Sequence, residues 1–339
     1  MSRLLTIRRA GPGMTVQDMG REGYLSFGLS RGGAADRQAL YEGAALLAQD
    51  PAMAAIEMAG MGGEFEADTD LRIALTGAPM RAGIDGTAIA WNASHFLPKG
   101  ARLSIGAADE GVYGYLHVGG GIATPERLGG RSAHLAAGLG NALGAGDTLE
   151  IGADRNAEAP SMCLPPDPRF DGGPVRLVPS LQTSFFAQAE LDRFETTTFQ
   201  RDARGNRMGV RILPEGDGFH SEAGLSVLSE VIVPGDVQIT GDGTPFVLLA
   251  ECQTTGGYPR IGAVLPADLP RVAQARPGVA LRFSFVTLEE AVAIDARLRA
   301  HLINLSAAVR PLTRDPADIR NLLSYQLISG VTAGDDLEL

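Results

Sequence analysis

The sequence predicts a mainly β protein: two lobes of barrel or sandwich type, a few short helices and a helical C-terminal extension. Three observations predict it. Six short apolar stretches fall between residues 54 and 121 with glycine at most of the breaks, a spacing too tight for an α/β sheet and right for a barrel or sandwich. Five prolines between residues 153 and 174 forbid regular structure and mark a boundary. Thr287 and Glu290 form a capping box ahead of the strongest helical pattern in the chain. The expected organisation is a first lobe over 1–155, a linker over 156–174, a second lobe over 175–286, and a C-terminal helix and tail over 287–339.

In order along the chain, residues 3–8 alternate as a strand does, and Gly11-Pro12-Gly13 turns them into a polar stretch holding Gln17, Asp18 and Arg21. That stretch is either a loop hydrogen-bonding to itself or one wall of a site for a polar, anionic substrate, because Asp and Arg this close can simply pair. Asp36 is placed to cap a helix over 37–49 that Asp50-Pro51 stops, and Ala39, Leu40, Gly43, Leu46 and Leu47 recur at helical spacing to form its packed face. Strands follow at 55–58, 65–67, 71–76, 88–91, 102–105 and 113–118. The glycines at 138, 140 and 144 do not spell the dinucleotide fingerprint, and no long βαβ unit follows them.

Beyond the linker the pattern predicts a strand at 175–178, a short helix over 184–194 and a strand from Phe199. Arg207 and Arg211 flank Gly209 and face either an anion or solvent. Residues 234–239 repeat the turn and strand of 146–151, and 277–283 repeat those of 99–105, a hint that the lobes are related barrels. Leu288, Ala291, Ile294, Leu298, Leu302 and Leu305 mark the buried stripe of the last helix. Residues 321–328 are apolar enough to dock on a lobe or on a partner.

The densest chemistry lies at residues 251–262. The apolar run 244–250 reads as a buried strand, and it ends in Gln253, Thr254 and Thr255, then Gly256-Gly257, then Tyr258-Pro259-Arg260. Side-chain donors and acceptors in succession, beside glycines that admit close approach, suit a binding site better than a plain turn.

Composition narrows the function. A net charge of -11 and a pI near 5.0 argue against a nucleic-acid groove. Cys163 and Cys252 form neither a disulfide framework nor a thiolate site, the five histidines have no ligand spacing, and no metal is expected. No G-x-x-x-x-G-K-[ST] phosphate loop occurs. No signal peptide or apolar span is visible, so a cytoplasmic protein without membrane contact is expected.

Taken together, Thr15-Val-Gln-Asp-Met-Gly-Arg21, Leu75-Thr-Gly-Ala78, Gly129-Gly-Arg-Ser132, Arg207-Met-Gly209 and Gln253-Thr-Thr-Gly-Gly-Tyr-Pro259 resemble the family of 5-oxoprolinase C subunits (KipA-like), which shares its domain with biotin-dependent urea carboxylases. The resemblance runs from about residue 5 to 295. It implies a pair of cyclophilin-like β-barrel lobes and a bacterial protein working in a heteromeric complex with a KipI-like B subunit and with the A subunit of 5-oxoprolinase. Together these use ATP to open 5-oxo-L-proline to L-glutamate. Under it, Gln253, Thr254, Thr255 and Tyr258 are the expected catalytic residues. Arg207 holds a substrate carboxylate, Gly256 and Gly257 admit the ligand, and Gln17, Asp18 and Arg21 meet the cavity or the partner. Two alternatives stand beside it: biotin-dependent carboxyl transfer to a small amide, and a non-enzymatic antagonist of a kinase inhibitor. The family usually has Arg-Ser-Thr at Arg131-Ser132-Ala133 and Gly-Arg at Gly140-Asn141, so a hydroxyl and a cation are missing here.

Overall fold

The computed structural model describes residues 3–224 and 227–313. Alternation builds the first lobe. In Arg3–Arg9, Leu5 and Ile7 point inward, and the strand pairs with Thr148–Ile151 on one side and Glu64–Ala67 on the other within a six-stranded sheet. A second sheet, of seven strands, runs in the order Thr15–Gln17, Ala55–Ala59, Tyr113–Val118, Leu71–Gly77, Ala93–Leu97, Met162–Cys163, Arg310–Pro311. The two sheets enclose one core, with Leu5, Ile7, Phe65 and Leu103 from the first and Ile56, Met58, Ile73 and Leu116 from the second. The first lobe thus takes the sandwich option rather than closing as a barrel.

Helix α1, Arg37–Leu47, lies on the outer face of the seven-stranded sheet, against Leu71–Gly77 and Tyr113–Val118. Covered on both faces, those two strands are buried throughout. Asp36 caps the helix as expected, accepting from Ala39 N–H.

The second lobe is a closed seven-stranded barrel: Gly173–Val178, Arg260–Val264, Asp236–Ile239, Pro245–Leu248, Gly209–Pro214, Phe199–Asn206, Ala280–Phe285, the last running parallel to the first. Phe194, Phe199, Phe219 and Phe283 fill it, with ring centroids 4.9–5.8 Å apart. The repeated turn and strand segments of the two lobes share their turn chemistry: Gly100, Gly146, Gly235 and Gly278 all have positive φ.

Three local expectations change. The helix placed over 184–194 is a 3-10 turn, Thr183–Phe185, and a separate α-helix, Gln188–Thr196, because Phe186 is extended between them. The proline-rich stretch is not wholly irregular. Met162–Cys163 pairs with Ala93 and with Arg310–Pro311, while Arg169 and Phe170 are buried. The C-terminal helix, Leu288–Ile303, has its capping box, but its buried contacts are Ala291 and Ile294, and Leu288 at the first turn is 69% exposed. The apolar stretch 321–328 lies outside the described residues.

Candidate functional site at the junction of the lobes

The period of two that sends Ile56 and Met58 into the sandwich turns Glu57 the other way, towards the barrel. The same rule turns Tyr113 and Tyr115 outward from the strand whose Leu116 and Val118 are sandwich core. Both tyrosines join a second core with barrel residues such as Val175, Val210 and Phe283. The lobes are therefore joined by packing as well as by polar contacts.

At the centre of the junction is Arg207, on the turn between Phe199–Asn206 and Gly209–Pro214. Its Nη1 donates to Glu57, its Nε to Glu251 Oε1 at 2.6 Å and its Nη2 to Gly33 O at 2.5 Å. Glu57 and Glu251 are 1% and 5% exposed in their side chains. Burial opposes the charge on Arg207, and the two carboxylates outweigh it, so its pKa is raised. Glu57 also accepts from Tyr115 Oη (2.7 Å) and Ala35 N–H (2.8 Å), and Tyr115 Oη accepts from Asp36 N–H (2.9 Å). Burial and the Glu57 charge push the Tyr115 phenol well above its usual range. The expected grip of Arg207 on a substrate carboxylate is thus replaced by a grip on two carboxylates of its own chain.

A second network flanks the first. Asp36 Oδ2 accepts from Arg169 Nε (2.7 Å) and Gln274 Nε2 (2.8 Å), Arg169 donates twice to Glu42, and Gln274 Oε1 accepts from the backbone N–H of Val112 and Tyr113. The linker arginine thereby holds a helix of the first lobe, and Gln274 binds it to the second.

Two cavities open at this junction. One, about 680 Å³, is lined by Tyr113, Arg201, Asn206, Arg207, Glu251 and Arg276, among others. The other, about 570 Å³, lies between Tyr24, Arg37, Tyr41, Leu249 and Leu298. Burial and the neighbouring Arg31 lower Arg37 to about 10. Both volumes suit a small ligand. In the second cavity Ser30 Oγ lies 2.9 Å from His134 Nε2, and His134 Nδ1 has no partner among the described residues. Burial lowers the His134 pKa, so its ring is neutral.

Of the other expected site residues, Arg21 lines the 570 Å³ cavity, and the rest line neither junction cavity. Gln17 donates to Thr15 Oγ1 and Ala133 O, and its buried Oε1 has no donor among the described residues, beside the alanine that stands where the resembled family has threonine. Asp18 accepts from Gly20 and Arg131 N–H. Arg21 donates to Arg127 O, Gly130 O and Ser132. This is the self-bonded loop, pinning residues 127–133. Gln253, Thr255 and Tyr258 are exposed, while Thr254, Gly256 and Gly257 are half-buried. Thr255–Gly256 pairs with Glu230–Val231 in a two-stranded ribbon, and neither junction cavity is lined by residues 253–258. A Cβ at Gly256 would lie 2.6 Å from Gln238 Nε2, so the Gln238 side chain would have to shift. Beneath the ribbon Arg260 is held by Glu230, Asp236 and the Val231 carbonyl.

Glu57, Tyr113 and Arg201 were not singled out from sequence. The signal for Arg201 was available: Phe199 and Arg201 share the inward phase of an alternating strand. Among the described residues no cluster of His, Cys, Asp and Glu could hold a metal, and no helix is long and apolar enough to cross a membrane.

A two-lobed β scaffold meeting in a polar junction is the architecture of a carboxyltransferase domain, and the chain belongs to that family, whose subdomains A and B match residues 27–285. More particularly, it is 34% identical over 294 residues to the C subunit of 5-oxoprolinase from Escherichia coli (strain K12), a match that covers 85% of this chain and 93% of that protein. The solved structure of TTHA0988 is 33% identical with a TM-score of 0.75; the match takes in 84% of this chain but 56% of that longer one. The urea carboxylase of Kluyveromyces lactis matches 92% of this chain and 31% of its own with a TM-score of 0.77, a likeness of fold at 22% identity.

Proposed function

We propose that this chain is the C subunit of an ATP-dependent 5-oxoprolinase, acting with the A and B subunits to hydrolyse 5-oxo-L-proline to L-glutamate in the cytoplasm. The observation that carries the reading is an identity of 34% extending over 93% of the E. coli protein. In this reaction water adds to the lactam carbonyl carbon, the ring C–N bond breaks and the nitrogen leaves as the amine. A lactam carbonyl is a poor electrophile, so its developing oxyanion needs neutral or cationic donors in a dry site. The junction cavity offers one: the Tyr113 hydroxyl, kept protonated by burial and pushed up to about 12. ATP is used by the complex, and this chain carries no phosphate loop of its own. The ribbon 253–258 faces outward, so Gln253, Thr254, Thr255 and Tyr258 contribute through a ligand or a partner protein that reaches them from outside.

Glutamate release from 5-oxo-L-proline and ATP, measured with all three subunits and with each omitted, tests the reading. Release that is lost without this chain supports it; undiminished release without it refutes it. The family description favours a second reading, carboxyl transfer from carboxybiotin to a small amide. It is supported if the chain consumes carboxybiotin on a separate carrier in the presence of an amide.

A further inference from the structure

Arg201 lies on Phe199–Asn206, where the ladder with Gly209–Pro214 is interrupted. Arg201 faces Ile212 and Gly205 faces Val210, four residue steps against two. Such a bulge re-aims side chains. Its extra residues turn Asp202 back on Arg204, whose N–H and Nη2 donate to it at 2.8 and 2.7 Å, so the carboxylate nearest in sequence is already engaged. Gly205 leaves room for the guanidinium, since a Cβ there would lie 2.7 Å from Arg201 Nη2. The result is an arginine only 5% exposed on the wall of the 680 Å³ cavity, with no carboxylate in ion-pair reach and no partner for Nε among the described residues. Burial lowers its pKa, and Tyr113 and Asp202 are close enough for their charges to interact with it without outweighing that burial. An isolated buried cation is costly, and an incoming anion relieves that cost.

We propose that Arg201 anchors the carboxylate of a small monocarboxylate ligand in the cavity between the lobes. Arg201 is the buried cation of this wall without an ion pair among the described residues, since Arg276 is exposed and donates to the Asp109 carbonyl, and one such cation matches one negative charge. A polyphosphate would also face Glu251 on the same wall. The inference deepens the lactam reading and rests on it for its first probe.

Calorimetric titration of the full chain, alone and in the reconstituted complex, tests it with 5-oxo-L-proline, 2-pyrrolidinone (the same ring without the carboxylate), propionate and ATP. Arg201→Gln should weaken 5-oxo-L-proline about 10- to 100-fold, the loss expected for a charge-assisted pair. It should leave 2-pyrrolidinone unchanged, and Arg201→Lys should fall between. The Tm of Arg201→Gln should stay level or rise, whereas a merely structural arginine would lower it. If propionate binds through Arg201 and 5-oxo-L-proline does not, the anchor stands and the proposed substrate falls. Arg201-independent binding of 5-oxo-L-proline, Arg201-dependent binding of ATP alone, or no Arg201-dependent carboxylate binding in either preparation overturns the proposal.

Discussion

Replacing Arg207 by alanine should destabilise the protein far more than it alters any one ligand contact. The substitution strips Glu57 and Glu251 of their cation and Gly33 O of a donor, with both carboxylates almost wholly out of water. Removing one partner of a buried pair costs about 3–5 kcal/mol, because the charge left behind cannot recover its solvation. With two carboxylates stranded, about 4 kcal/mol is a lower expectation, or a fall in Tm of about 6 °C for a chain this long. Urea unfolding followed by circular dichroism measures it. The combined variant Arg207→Met, Glu57→Gln, Glu251→Gln should regain most of the loss, since it buries no unpaired charge. If Arg207→Ala falls within about 1 kcal/mol of wild type, or the combined variant is no better than the single one, the junction is not held as described.

Gly43→Ala, on the exposed helix of another protein, would stabilise by about 1 kcal/mol. Here a Cβ would sit inside contact distance of the His117 ring, which Thr76 fixes at 2.8 Å, so thermal melting should show a lower Tm. Burial lowers His117 to about 3, against 6.5 for the exposed ring, so the unfolded chain binds more protons between those values. Its contribution is present above pH 6.5 and is lost as the pH falls towards 3. His117→Gln should reduce the stability difference between pH 7 and pH 5 by about 2 kcal/mol, read from urea midpoints at each pH. Thr255→Ala, on the exposed ribbon, should leave Tm unchanged yet reduce glutamate release by the complex; full release would remove the ribbon from the reaction.

What was legible in the sequence was local. Asp36 and Thr287 cap helices because a cap needs only the next three residues, and the alternation of residues 3–8 survives as a strand for the same reason. The self-bonded loop of Gln17, Asp18 and Arg21 was one of two readings open from their spacing. The partners of Arg207 were not legible, for Glu251 is 44 positions away and Glu57 is 150. Nor could the sequence say that the 251–262 stretch parts company with its own strand. Glu251 stays at the junction, while the residues after Cys252 swing out to pair with Glu230–Val231. The alternation put Arg201 in phase with Phe199, but the bulge that frees its guanidinium leaves no trace in that pattern.

The mixed core, in which Tyr113 and Tyr115 of the sandwich pack with Val175, Val210 and Phe283 of the barrel, has a consequence for how the molecule comes apart. Neither half owns all of its interior. Scission between 164 and 174 would leave each piece with a raw apolar face, and the strand Arg310–Pro311, which reaches back to Met162–Cys163, would lose its seat. The halves should therefore melt in one calorimetric transition.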